Sequence, residues 1–354
     1  MLPYFIVLFF SVIVLLLGYS KFKRRPNKFS YNLSGLILIM LPTLRSVEVG
    51  TDSGNYVGMF NSLKFQTESL LNIETSIEIG YLAMQYLALS ISYEYWSLFF
   101  IIALISVLSN LFVINKLSEN IILSVFIYVS LATYLFLFNG ARQAIAASII
   151  SVALIYLVEK KLLKYIIVVL IASSFHTTAI IMVPFYFLLN FKYSIRNLTI
   201  YAIGSFVSLY YLSSFLSVFD SSTFERYIAY EDRNATGGFT LAIFYFINSF
   251  VLLILRSKIP KEKLLKYDIL LNMCVFSALV YVVVVLTASD VNFLRISLYF
   301  SMGYILIWPI VFKSISFFKI RIFQFAFITI HLLFYYVYLS KMSNLTPYIF
   351  NNFW

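Results

Sequence analysis

Long apolar runs separated by short polar breaks make up most of the chain. A run of about eighteen or more apolar residues is enough for a helix to cross a hydrocarbon core about 30 Å thick. On that criterion spans fall at 2–19, 31–47, 96–114, 121–138, 142–158, 198–216, 239–255, 268–287, 296–312 and 322–340. The pattern predicts an all-α polytopic membrane protein of roughly 10–12 transmembrane or half-membrane helices. Residues 1–354 form a single integral membrane domain on this reading, with no internal repeat and no soluble domain.

Two stretches break the pattern. Residues 165–190 carry basic residues at both ends and a polar run, Ser173-Ser174-Phe175-His176-Thr177-Thr178, at their middle. At 1.5 Å rise per residue they suffice for two half-length helices that meet part-way across, with His176 at the apex. The alternative is one long tilted helix, which would invert everything downstream. Glu78 to Ser92 is too short for a comfortable span and is expected to be an interfacial or re-entrant helix inside an external loop at 48–95. A second external loop is expected at 217–238.

Charge then orients the spans. The breaks around Lys21–Lys28, Lys116, Lys160–Lys164, Lys192–Arg196, Arg256–Lys266 and Lys313–Arg321 hold nineteen cations and only four acids. The opposite side holds seven cations and eleven acids, so the basic breaks are expected to be cytoplasmic. The net charge of +11 is thereby accounted for without nucleic acid as a partner. The hydrophobic fraction of 62 % against 12 % charged excludes an ordinary soluble chain, which is about half apolar and a quarter charged. The first segment, Leu2 to Leu17, has no basic region before it and no small-residue cleavage site, and reads as a retained helix. The single cysteine, Cys274, lies in an apolar run and reads as a packing residue.

Charges near the non-cytoplasmic helix ends are the informative residues, because an ionised group at a membrane usually faces a cavity or a partner. Arg45, Asp52, Glu78, Arg142, Asp290 and Arg295 gather there, with His176 approaching from the other direction. An outward-facing polar cavity is the expected result. Arg45 and Arg295 have a plain alternative as snorkelling residues. Arg142 opens a helix after Asn139-Gly140, where the dipole disfavours a cation and an anionic partner is called for. His331 lies mid-helix without a nearby acid and reads as structural. Arginine forks bind phosphate oxygens bidentately, and a carboxylate or histidine can take a proton from an attacking hydroxyl. Together these groups fit transfer from a lipid diphosphate to a sugar, and by themselves they fit an anion transporter as well. No ligand cluster for a metal is visible, and neither a metal nor another cofactor is required.

At these residues the chain resembles the EpsG/Wzy group of polysaccharide polymerases. Arg45 with Val49-Gly50-Thr51-Asp52-Ser53-Gly54-Asn55-Tyr56-Val57-Gly58-Met59-Phe60 is similar to the family's arginine, G-T-D and Y-x-x-x-F loop. Glu78-Ile79-Gly80-Tyr81 follows where the family has E-P-G-Y. Asn139-Gly140-Ala141-Arg142-Gln143-Ala144-Ile145-Ala146 resembles its N-x-x-R-Q-x-[IL]-A helix start, and Ser174-Phe175-His176-Thr177-Thr178-Ala179 its F-H-x-[ST]-A motif. Asn292-Phe293-Leu294-Arg295-Ile296-Ser297-Leu298-Tyr299-Phe300 is a weaker likeness. Ile79 and Ser53 depart from the family pattern, Ile79 standing for a proline and Ser53 for a tyrosine.

The resemblance implies polymerisation of O-antigen, capsule or exopolysaccharide repeat units at the outer face of the bacterial cytoplasmic membrane, on a GT-C-like arrangement of helices. Undecaprenyl diphosphate-linked oligosaccharides would be the substrates, with a flippase and a chain-length regulator as partners. Asp52 or Glu78 would serve as base, with His176 orienting or sharing the proton. Arg142 and Arg295, with Arg45, would bind the donor diphosphate, and Tyr56, Tyr81, Gln143 and Tyr299 would complete the substrate site. An O-antigen ligase and a flippase of lipid-linked oligosaccharide are the competing readings. The first shares the donor, and the second should show pseudo-symmetric halves.

Overall fold

The computed structural model describes residues 1–65, 77–191, 193–194, 196–197, 199–200, 203–204, 236–287 and 291–351. Most of the 198–216 span and of the 217–238 loop, residues 66–76 of the first loop, and Asp290 lie outside the described residues. The helices, in chain order, are α1 (Leu2–Leu17), α2 (Lys28–Thr43), α3 (Ser53–Leu63), α4 (Ile79–Ile91), α5 (Trp96–Leu117), α6 (Ile121–Ser130) and α7 (Ala141–Val158). They continue as α8 (Leu162–Ser173), α9 (Phe185–Leu189), α10 (Thr236–Leu255), α11 (Lys261–Thr287), α12 (Met302–Ser314) and α13 (Arg321–Lys341). The strands among the described residues are one two-residue pair, Tyr19–Ser20 (β1) with Arg25–Pro26 (β2), in the basic break after α1. The chain is therefore an all-α polytopic membrane protein.

Five helices among the described residues are long and apolar enough to cross a membrane, six if a pair bent by 41° is one span. Several expected spans turn out shorter or broken, each for a local reason. The run 121–138 divides because Ala132 takes a positive φ of 61° after α6, and the chain resumes as a 3-10 turn, Tyr134–Phe138. The run 296–312 becomes a 3-10 segment, Val291–Phe300, leading into α12 across the bend. Hydropathy detects neither break, since the residues on both sides are apolar. The 165–190 stretch is divided at its polar run, with α8 before His176 and a 3-10 segment, Thr177–Met182, and α9 after it.

The chain forms two compact units, Met1–Ile180 with Ile320–Trp354, and Ile181–Lys319. In the first, α7 is the central element, packed against both α5 and α8. Its buried residues include a set of small ones, Ala141, Ala144, Ser148, Ser151 and Ala153, which let neighbouring backbones come close. Asn110 of α5 donates to the Ser148 hydroxyl of α7 at 2.9 Å, a polar tie of the kind that joins membrane helices. Lys116 and Lys161 both reach Glu159, at 3.1 and 2.8 Å, so the basic ends of α5 and α7 meet. Arg142 lies at the opposite end of α7 from that cluster. His331 of α13 is buried against the Phe327 ring, its Nδ1 2.9 Å from the Phe327 carbonyl oxygen.

In the second unit α10 and α12 pack on α11. The Ser249 and Tyr304 hydroxyls lie 2.7 Å apart, and both are within hydrogen-bond distance of the Cys274 carbonyl oxygen, at 3.0 and 2.7 Å, so their two protons are shared among these three contacts. The Cys274 thiol is fully buried there, in keeping with a packing role.

Candidate functional site

The first unit brings three sequence motifs to one carboxylate. Glu78 is the N-cap of α4, yet its side chain makes no cap hydrogen bond. The carboxylate turns instead to Arg142 in the first turn of α7, whose Nη1 donates to Oε2 at 2.7 Å. The other oxygen, Oε1, is 3.2 Å from Nδ1 of His176 and accepts from the Thr177 N–H at 3.4 Å. All three side chains are mostly buried, with 15 % of Glu78, 17 % of Arg142 and 18 % of His176 accessible. The anionic partner that the helix-start position of Arg142 calls for is thus Glu78.

Burial alone would push the Glu78 carboxyl up. The hydrogen bond from His176 and the charge of Arg142 outweigh it and hold the group at about 2. Glu78 is accordingly ionised at neutral pH. The start of α4 is fixed by the Gly80 N–H, which donates to the Ser174 carbonyl oxygen at 2.8 Å. A Cβ on Gly80 would lie 2.7 Å from that oxygen, so only glycine permits the approach that places Glu78 beside His176. Ile79 occupies the first helical position of α4, where proline is also well accommodated, so this departure leaves the helix start in place.

A second set of contacts seats the loop that carries Asp52. Gly50 takes a φ of +100°, and a Cβ there would be 2.4 Å from the Phe138 carbonyl oxygen. The Thr51 N–H donates to Oδ1 of Asn139 at 3.0 Å, while Nδ2 of Asn139 donates to the Ser343 carbonyl oxygen at 2.7 Å. Ser53 is fully buried and donates to the Val49 carbonyl oxygen at 2.7 Å, which closes this turn. Asp52 itself is the half-buried N-cap of α3. Asn139 therefore joins the Asp52 loop, the start of α7 and the C-terminal segment.

Arg45 is 1 % exposed, with its guanidinium carbon 4.0 Å from the Phe99 ring centre and 4.7 Å from that of Phe138. Its Nε and Nη1 have no hydrogen-bond partner among the described residues. The C-terminal segment covers it: the Ser46 N–H donates to the Ile349 carbonyl oxygen and the Asn351 N–H to that of Leu44, both at 2.8 Å. Nothing in the hydropathy pattern foretold this pairing, and it argues against surface snorkelling for Arg45. Tyr56 and Tyr81 are buried with ring centres 5.9 Å apart. Gln143 is buried beside Arg142 in the first turn of α7. Arg295, half-buried, and Tyr299, buried, belong to the Val291–Phe300 segment of the second unit.

No curated protein and no solved structure matches the chain. The EpsG family matches residues 28–350, from the first residue of α2 to the C-terminal segment that pairs beside Arg45. That span includes the Asp52 loop, Glu78, Arg142, His176 and Arg295, and α1 alone of the helices precedes it. With nearly the whole chain matched and the three motifs joined at one carboxylate, the protein belongs to the EpsG family, a Wzy-like family of polysaccharide polymerases.

Proposed function

We propose that the chain extends a bacterial surface glycan by transferring the growing chain from undecaprenyl diphosphate to the non-reducing sugar of a lipid-linked repeat unit at the outer face of the cytoplasmic membrane. The observation that carries this reading is the Glu78 carboxylate held between Arg142 and His176 in a largely buried setting. It supplies a cation for a leaving diphosphate, an acid–base pair for an attacking hydroxyl, and little water to compete.

In this mechanism the donor diphosphate takes Arg142 from Glu78, since the guanidinium fork suits phosphate oxygens as well as carboxylate. Glu78 loses its positive partner and becomes a better proton acceptor. The acceptor hydroxyl gives its proton to the Glu78–His176 pair as its oxygen bonds to the anomeric carbon of the donor. The bond from that carbon to the diphosphate oxygen breaks, and undecaprenyl diphosphate leaves with the bonding electrons. Arg142 stabilises the charge that develops on it. Arg45, buried in the same unit, adds a further positive charge. Asp52 is the other candidate base. Glu78 is favoured over it by its contact with His176.

Glycan extracted from cells lacking the protein tests the reading on a gel. Single repeat units capping the lipid, with every longer band lost, support a polymerase. A ladder that persists on undecaprenyl diphosphate without reaching its final acceptor would make the protein a ligase. Loss of all externalised units would make it a flippase.

A further inference from the structure

Glu78, Tyr81, Gln85 and Ala88 follow one another at spacings of three, four and three, which places them along one face of α4. Tyr81, Gln85 and Ala88 are fully buried. Ala88 suits that position, and Gln85 does not by itself. Neither its Oε1 nor its Nε2 has a hydrogen-bond partner among the described residues, and the Tyr81 hydroxyl one turn nearer to Glu78 has none either. Buried amides and hydroxyls are almost always paired, so two unpaired groups on one stripe leading from the proposed reaction centre call for a ligand.

The carboxamide narrows the ligand's chemistry. It presents an acceptor oxygen and a donor nitrogen side by side. A phosphate oxygen only accepts and would leave Oε1 unpaired. A sugar hydroxyl both donates and accepts, and so matches the amide and the neighbouring phenol together. The Tyr56 and Tyr81 rings beside them add the aromatic surface on which sugar C–H groups pack. Building on the polymerase reading, we infer that Gln85 is a glycan-binding residue, its carboxamide and the Tyr81 hydroxyl holding a hydroxyl group of the sugar brought to Glu78.

Entry to this stripe follows from how α4 is fastened. Two of the bonds at its start, from Glu78 to Arg142 and to His176, are ones that a diphosphate and an acceptor hydroxyl compete for. Their exchange frees the start of α4, the helix that carries Gln85, so the glycan position opens when the donor is in place.

The test is Gln85→Met, which keeps the volume and removes the polar atoms. It is made in the full-length protein, purified in detergent for thermal unfolding and expressed in cells lacking their own copy for glycan analysis. The variant is expected to unfold at or above the wild-type temperature, because an unpaired buried amide is exchanged for an apolar group. Long polymer is expected to fall by about tenfold, the loss of one such hydrogen bond. A wild-type ladder from Gln85→Met would overturn the assignment. So would a lower unfolding temperature, which would mean that the amide is paired within the chain. Cells lacking the protein serve as the control for the polymerase reading: a ladder that survives there removes that reading, and the sugar assignment with it. Loss of the ladder in those cells but not in Gln85→Met removes the Gln85 assignment alone.

Discussion

Glu78 and Arg142 are 64 positions apart in the chain and 2.7 Å apart in space. Their pairing joins the N-terminus of α4 to that of α7, and His176, entering from the break after α8, completes the cluster. The central cation of the site is therefore already occupied by an internal carboxylate before any substrate arrives.

The pair has a stability signature. Glu78→Gln leaves Arg142 without its counter-charge, and removing one partner of a largely buried ion pair costs about 3–5 kcal/mol. Adding Arg142→Gln to Glu78→Gln should recover part of that loss. Unfolding of the purified protein in detergent across the four members of this cycle measures the coupling, and additive losses would contradict the pairing.

Acid should act through the same carboxylate. Its folded value of about 2 lies below its ordinary 4.5, so its stabilising contribution is present above about 4.5 and disappears as the pH falls through about 2. Thermal unfolding of the wild type should accordingly drop more steeply than that of Glu78→Gln between those limits. Parallel curves would contradict the assignment.

His176→Ala removes the partner that shares the proton, and chain growth should fall by about 10²–10⁴-fold, the usual scale of general acid–base catalysis. Arg142→Ala should abolish long polymer outright. Both variants must be present in the membrane at wild-type abundance for the gel to be read, and a normal length distribution from either would contradict its role.

Gly80→Ala places a methyl group 2.7 Å from the Ser174 carbonyl oxygen, so α4 must shift at its start. The expected outcome is loss of polymer comparable to that of His176→Ala, although no ionisable group is touched. A fully active Gly80→Ala would show that the position of Glu78 is not held by this contact.

The sequence makes the helical membrane class legible because apolar runs of span length are a direct reading of bilayer thickness. It also identifies Glu78, Arg142 and His176 one by one, since charged residues beside apolar runs are few. What it hides is their pairing: 64 and 98 positions separate Glu78 from Arg142 and from His176, and no periodicity spans such gaps. The breaks at Ala132 and between Val291–Phe300 and α12 escape for a different reason, because backbone conformation changes there while hydropathy does not. Arg45 is the instructive residue. Its charge marks it as a membrane-end arginine, but burial under the C-terminal segment depends on pairing with residues some 300 positions away. Gln85 carries no charge to mark it in the sequence, although a helical count places it on the Glu78–Tyr81 stripe.

Transfer itself can be followed with the purified protein in lipid vesicles and a single undecaprenyl diphosphate-linked repeat unit as both donor and acceptor. Chain length and released undecaprenyl diphosphate are counted together. The wild type is expected to release one undecaprenyl diphosphate for each unit added, while Arg142→Ala and Glu78→Gln neither lengthen the chain nor release the lipid. Repeat units that stay single with the wild-type protein, or chains that lengthen without release of the lipid diphosphate, would contradict the polymerase reading.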